Sequence, residues 1–264
     1  MFFWLTVIFV SAVIGSFLNV VIYRLPLMLS GEKKMSLCFP ASFCPRCGNT
    51  LKKRHNIPVL SYLYYKGKCA WCGDNISLRY PMVELLVIFL AIIGKLRFNS
   101  DYYLFIGYSV VAIFSVVAAF IDLDTRKIPD VLTWLLLIIG IIFNLSGGFA
   151  TLEESVCGAI FVFAAFHLFS GAMEWVCTTP AIGGGDIKYF TSIAAWFGLD
   201  CMPFIIFSAS LMTLITIYMV KGLSETNISG MKIPFAPGIS ASVLLYSLVV
   251  YADPFNISIF PFFI

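Results

Sequence analysis

Four cysteines and four aspartates carry most of the chemistry this sequence can offer. Cys44-Pro-Arg-Cys47 is followed, after 21 residues, by Cys69-Ala-Trp-Cys72. A CxxC pair folds as a knuckle that presents two thiolates to one ion, and two knuckles complete a tetrahedral site of four sulfurs. Zinc is the expected metal, and iron accepts the same ligands. Four thiolates leave no open position for water, so the expected task is structural. Gly48 and Gly73 follow the second cysteine of each pair, where a tight turn calls for positive φ. Disulfide pairing is the weaker reading in a reducing cytoplasm. His55 lies between the pairs and reads as a surface histidine. Cys38, Cys157, Cys177 and Cys201 have no partner spacing and read as small buried residues.

Three aspartates crowd one stretch, Asp122-Leu123-Asp124-Thr125-Arg126-Lys127-Ile128-Pro129-Asp130, and a fourth, Asp186, follows Gly183, Gly184 and Gly185. Asp130, after Pro129, suits the first turn of a helix. Asp122 and Asp124 are two positions apart and fall on opposite helix faces, with Asp122 the deeper. Asp122 and Asp186 can converge from two helix ends. Two close carboxyls share one proton; the ionised one activates water and the protonated one polarises a carbonyl, which is acid-only peptide hydrolysis. The glycines before Asp186 would give an extended substrate room beside the acid. The competing reading is a pair of helix-end aspartates bonded to Arg126 and Lys188. No Ser, His or Cys triad is evident, and His167, mid-span, reads as an interior group.

The surroundings of these residues are membrane. The 264 residues are 60% hydrophobic and 12% charged, with a mean hydropathy of +0.95, against about 25% charge in soluble domains. Long apolar blocks predict an all-α polytopic membrane protein with about eight transmembrane helices, over residues 2–23, 81–94, 102–121, 131–146, 155–176, 187–200, 203–221 and 237–252. Short alternating strands of a membrane barrel are not seen. With the N-terminus outside, 15 Lys and Arg residues fall on the cytoplasmic side, Lys221 and Lys232 among them, and only Lys95 and Arg97 on the other, a strong positive-inside asymmetry. The net charge of +3 therefore reflects topology and gives no reason to expect nucleic-acid binding. The first span reads as an anchor and not a cleaved signal, because no basic residue precedes it. Residues 24–80 form the one sizeable polar segment, too small for a strong core without a metal staple.

These residues resemble a known family. "GSFLNVVIYRLP" (Gly15 to Pro26), the two CxxC pairs with "IPVLSYLYYKGK" between them, "ISLRYPMVELL" (Ile76 to Leu86), "DLDTRKIPD" and "GGGDIK" are similar to the type IV prepilin peptidases, bifunctional leader peptidase/N-methyltransferases. The GxGD element alone is shared with presenilin-like intramembrane proteases. The resemblance implies Asp122 and Asp186 as catalytic acids, Cys44, Cys47, Cys69 and Cys72 as metal ligands, and Gly67 as a residue near the methyl donor, S-adenosylmethionine. It implies a division into a first transmembrane helix (1–23), a cytoplasmic zinc-binding domain linked to methyl transfer (24–80) and a transmembrane aspartyl protease domain (81–264). No Rossmann glycine pattern is present, so a soluble-type donor fold is not expected. The stretch after Pro26, "LMLSGEKKMSLC", carries fewer acidic and aromatic residues than that part of many members.

The function so implied is cleavage of the leader of type IV prepilins or type II secretion pseudopilins at the cytoplasmic face of the bacterial inner membrane, then methylation of the new N-terminus. The partners are those precursors, the lipid bilayer, and pilus or secretion assembly proteins. The alternatives are a peptidase without methyl transfer, a scaffold whose zinc loop recruits other proteins, and an ion carrier. Asn19, Arg24 and Glu84 lie at the polar segment's membrane junctions, where Arg24 reads as a lipid or cap contact and Glu84 as a first-turn acid. Ala118, Ala119, Ala194 and Ala195 would admit a substrate helix.

Overall fold

The computed structural model describes residues 2–31, 35–177, 182–223 and 233–250. Lys232 and the last two residues of the eighth apolar segment lie outside them. Among the described residues the chain is helical, with two isolated β-bridges and no strand. The elements are α1 (Phe2–Leu29), a 3₁₀ turn (Lys53–Asn56), α2 (Leu60–Tyr64), α3 (Arg79–Arg97), α4 (Tyr102–Thr125), α5 (Asp130–Leu145), α6 (Leu152–Cys177), α7 (Gly184–Phe197), α8 (Met202–Leu223) and α9 (Ala236–Leu245), continued by a π-helical turn over Tyr246–Val250. The eight longer helices fall on the eight apolar blocks. Four of them are long and apolar enough to cross a membrane: Phe3–Leu29, Tyr102–Thr125, Leu152–Val176 and Met202–Met219.

Local chemistry starts and stops these helices. Asp101 caps α4, its carboxylate accepting from the Leu104 N–H at 2.9 Å, and Arg126 ends it in the left-handed region at φ 54°. Thr151 and Glu154 form a reciprocal capping box at α6, with bonds of 2.9 and 3.2 Å. Pro129 precedes α5, and Pro237 sits in the first turn of α9, where its missing N–H costs nothing. Pro26 does not end α1, which runs six residues beyond the expected boundary.

α1 packs on α3 and α4, α7 lies against α5 and α6, and α9 lies against α4 and α8. α7 is the innermost element: every residue from Tyr189 to Phe197 is buried. Its 14 residues span about 21 Å at 1.5 Å per residue, short of the roughly 30 Å hydrocarbon layer. Buried as it is, its ends need partners from the protein. Asn144 is one at the C-terminal end, donating to the carbonyls of Ala195 (2.9 Å) and Trp196 (3.1 Å), and Ser155 adds a bond to Ala195. Trp196 in turn donates to the Leu136 carbonyl at 2.8 Å, fixing α7 to α5.

Ala118, Ala194 and Ala195 are fully buried. They serve packing within the chain and are not open to a substrate helix, contrary to the expectation drawn from their small size; Ala119 is half-buried. His167 lies on the exposed face of α6 and not in the interior; it packs edge-on against Phe163. Cys201 is buried as expected, whereas Cys38 and Cys157 are exposed. The side chain of Cys177 lies outside the description.

Candidate active site and metal centre

The four cysteines meet. Their Sγ atoms all lie within 4.8 Å of one another, and Cys44 and Cys72 are 3.9 Å apart. A tetrahedron of zinc–sulfur bonds of 2.3 Å has an edge of about 3.8 Å, so the donor set fits a zinc-sized ion. The two knuckles repeat one backbone design. The N–H of Gly48 donates to the Cys44 carbonyl at 2.9 Å and that of Gly73 to the Cys69 carbonyl at 3.0 Å. Both glycines sit at φ near +70°, as their positions predict. Bridges Phe43–Thr50 and Lys68–Asn75 close the knuckles, and Arg46 joins Asp74 across them at 3.1 Å. The N–H groups of Cys72 and Trp71 bring the Cys69 thiol down to about 7. Cys72 is pushed up to about 12, the Asp74 N–H working against burial and the neighbouring thiols. Adjacent thiols resist joint ionisation unless a cation joins them. His55 is not among the clustered donors; its ring stands edge-on between Tyr65 and Trp71, and slight desolvation with Arg54 and Lys52 nearby lowers its basicity.

The aspartates sort into two kinds. Asp124 pairs with Arg79 of α3, and Asp130 pairs with Lys188 at 2.6 Å. Asp122 and Asp186 have no such cation partner among the described residues. They lie close enough to act on one another electrostatically, Asp122 buried and Asp186 half-buried. The expected alternative, pairing with Arg126 and Lys188, is not what these groups do: Lys188 turns to Asp130.

Three helix ends build this junction. Asp122 lies in the last turn of α4 and Asp186 in the first turn of α7. The third end was not expected. The backbone N–H of Ala236, at the start of α9, donates to Asp122 Oδ2 at 3.0 Å, and a helix N-terminus favours the negative charge placed there. The Phe-Ala-Pro start of α9 was a legible helix signal, but nothing local points it at a residue 114 positions away. One turn deeper in α7, the Tyr189 hydroxyl donates to Ser115 Oγ (3.1 Å) and lies 2.9 Å from Ser240 Oγ, which donates to the Ser115 carbonyl. This buried cluster ties together α4, α7 and α9, the helices that carry the junction.

The glycines before Asp186 work by close approach. A Cβ on Gly183 would lie 2.9 Å from Asp186 Oδ2, and one on Gly185 would lie 3.3 Å from the Ile128 Cβ, whereas Gly184 faces open space. Gly184 opens α7 as ordinary helix and Gly183 has φ −64°, so the backbone here is neither unwound nor left-handed. Gly183 makes room for the acid, and Gly185 lets α7 seat on the loop after Asp122.

A cavity of about 760 Å³ separates the cysteine domain from α1 and α3, within the range of small-molecule sites. Arg24 is buried and donates to the carbonyls of Ser36 (2.9 Å) and Pro40 (2.8 Å), so it fastens the start of the polar segment and is not a lipid contact. Glu84 lies in the second turn of α3 and not its first; it is buried and accepts from the Val59 N–H at 2.7 Å. Val59 has φ 58° and ψ −48°, a sparsely populated positive-φ conformation that costs a β-branched residue on the order of 1–3 kcal/mol. Gly67, at φ 69°, leaves no space for a Cβ, which would lie 2.7 Å from the Tyr62 hydroxyl. Tyr62 lines the cavity; Gly67 stands behind it.

An all-helical membrane protein with paired carboxyls at a helix junction and a four-thiol cluster is the class these features define. Residues 9–98 match the bacterial peptidase A24 N-terminal domain, and residues 109–218 the type IV leader peptidase family. Among curated proteins, the chain is 38% identical over 210 residues to a prepilin leader peptidase/N-methyltransferase of Klebsiella pneumoniae, covering 76% of this chain and 89% of the relative. It is 32% identical over 247 residues to one of Neisseria gonorrhoeae (87% and 84% covered) and 35% over 249 residues to one of Dichelobacter nodosus (86% and 85% covered). No solved structure matches. The chain belongs to the type IV leader peptidase family.

Proposed function

We infer that this protein removes the leader of type IV prepilins or type II secretion pseudopilins and methylates the N-terminus so exposed. The observation that carries the reading is the sorting of acids: Asp124 and Asp130 are each neutralised by a cation, while Asp122 and Asp186 lie within electrostatic reach of one another and have no cation partner among the described residues. In this reading Asp122, held by the start of α9, and Asp186 share a single proton. The ionised carboxyl takes a proton from water as the oxygen attacks the scissile carbonyl, and the protonated one donates to the carbonyl oxygen. The Tyr189 cluster and the Ile128–Gly185 contact hold the two groups in register.

Cys44, Cys47, Cys69 and Cys72 hold zinc as a structural staple for the segment 24–80. S-adenosylmethionine supplies the methyl group when bound, and the cavity beside this segment has the volume for it. Gly67 acts there by letting Tyr62 form the wall. The chain divides into a first transmembrane helix (1–23), the zinc domain (24–80) and a transmembrane protease domain (81–264). All eight longer helices belong to the membrane in this reading, with the N-terminus periplasmic and both sites at the cytoplasmic face of the inner membrane, as the distribution of Lys and Arg supports. Pilus or secretion assembly proteins would receive the product.

The test is to incubate the purified protein with a prepilin and labelled methyl donor and to read product mass, which reports cleavage and methylation together. Wild-type protein gives a trimmed, methylated product; Asp122→Asn and Asp186→Asn give none. Cleavage that survives in either variant removes the two-acid mechanism.

A further inference from the structure

The cavity between the cysteine domain and the membrane helices has one corner in which a buried polar atom lacks a partner. Asn19, buried on α1, donates its amide to the carbonyls of Gly15 (3.3 Å) and Tyr80 (3.1 Å). Both partners are acceptors, so the amide orientation is settled by chemistry and Oδ1 must face the other way. That oxygen is buried and has no hydrogen bond, and Asn19 lines the cavity. Glu84, one turn along α3 from Tyr80, lines the same corner. Gly15 brings the helices together here, since a Cβ on it would lie 2.8 Å from the Glu84 Cα. Ser16 is near enough to the Glu84 carboxylate to interact with it. The corner thus presents one amide oxygen and one carboxylate, both acceptors, and a buried acceptor left unpaired is costly unless a ligand supplies the donor.

The opposite sense of polarity lies close by. Arg79 Nε is also buried and unpaired, while its Nη1 holds Asp124, two residues from Asp122. The cavity wall and the acid junction therefore share one side chain.

We propose that Glu84 and Asn19 Oδ1 form a site for a primary α-amine, the new N-terminus of the trimmed pilin, and that Glu84 deprotonates it for methyl transfer. The inference rests on N-methylation as part of the function. In the ammonium form the nitrogen has no lone pair to attack with. The Glu84 carboxylate takes one proton, and the freed pair forms the N–C bond to the methyl of a sulfonium donor. The C–S bond breaks and its electron pair stays on sulfur. The product is a secondary ammonium and a neutral thioether, and Glu84 returns its proton to water.

Two substitutions separate this role from a structural one. Glu84→Gln keeps an acceptor for the Val59 N–H and removes the charge; Glu84→Asp keeps the charge and withdraws it from Val59. The full-length protein is titrated with a peptide of mature pilin N-terminal residues, free or N-acetylated, and separately with S-adenosylhomocysteine, free or N-acetylated. Fold is checked by metal content and unfolding midpoint. The expected result is a preference of about tenfold or more for the free pilin amine, lost in Glu84→Gln and kept in part in Glu84→Asp, with trimmed product left unmethylated by Glu84→Gln. The proposal is overturned by equal binding of free and acetylated peptide, by a preference that survives Glu84→Gln, or by a preference confined to the donor analogue. A wild-type protein that cuts but never methylates would defeat the wider functional reading instead.

Discussion

The Asp122 carboxylate is bonded to the backbone N–H of Ala236 at 3.0 Å, so the acid of α4 is held by the opening turn of α9. Asparagine offers an oxygen in the same place. Asp122→Asn should therefore fold, with an unfolding free energy within about 1 kcal/mol of wild type, yet show no leader cleavage. Asp122→Ala, which leaves the N–H without its acceptor, should lose about 1–3 kcal/mol. Chemical denaturation of both variants beside the cleavage assay checks the contrast.

The three glycines before Asp186 should respond unequally. Gly184→Ala meets nothing within 4 Å and should retain cleavage with unchanged stability. Gly183→Ala intrudes on Asp186, and Gly185→Ala crowds Ile128; both should lower the rate by tenfold or more, on the order of 1.4 kcal/mol in the barrier. Initial rates on one prepilin for all three variants decide the matter.

Tyr189→Phe removes the hydroxyl that joins Ser115 to Ser240 and keeps the ring. A loss of about 1–2 kcal/mol in stability is expected for a buried hydrogen-bonded hydroxyl, together with slower cleavage at unchanged substrate binding. A steady-state comparison should show the change in kcat and not in KM.

Metal removal should separate the two activities. The thiolates must lose protons to bind an ion, so binding releases protons and affinity falls as pH falls. Metal should therefore be retained near pH 8 and shed progressively on acidification, as protons reclaim the thiolates. Elemental analysis after dialysis across that range tests this. Cys72→Ser should depress methylation far more than cleavage, because the acids belong to α4 and α7.

Gly67→Ala combines a left-handed backbone position with a contact on the Tyr62 hydroxyl. Methylation should fall at least tenfold while cleavage persists, and binding of S-adenosylhomocysteine should weaken in parallel.

Much of this was legible in the residues themselves. Apolar blocks marked the eight longer helices, and the CxxC spacing with its trailing glycines predicted both knuckles down to the sign of φ. What stayed hidden depended on distant partners. The end of α1 was misplaced because Arg24 reads as a membrane-edge charge, whereas it is folded inward onto the carbonyls of Ser36 and Pro40. The glycines suggested a loosened backbone, but the close neighbours of Gly183 and Gly185 are side chains of Asp186 and Ile128. The roles of Tyr189 and of Ala236 follow only once α4, α7 and α9 are seen to share one end. Small, apolar Ala194 and Ala195 look alike in sequence whether they meet lipid, a substrate or their own core.

The ion pair between Arg79 and Asp124 gives the molecule a shared partition. Arg79 borders the chamber next to the cysteine domain, and Asp124 ends the helix that bears the first acid, so displacement on one side is felt on the other. An occupant settling against Arg79 would thus bear on the last turn of α4, the turn that carries Asp122.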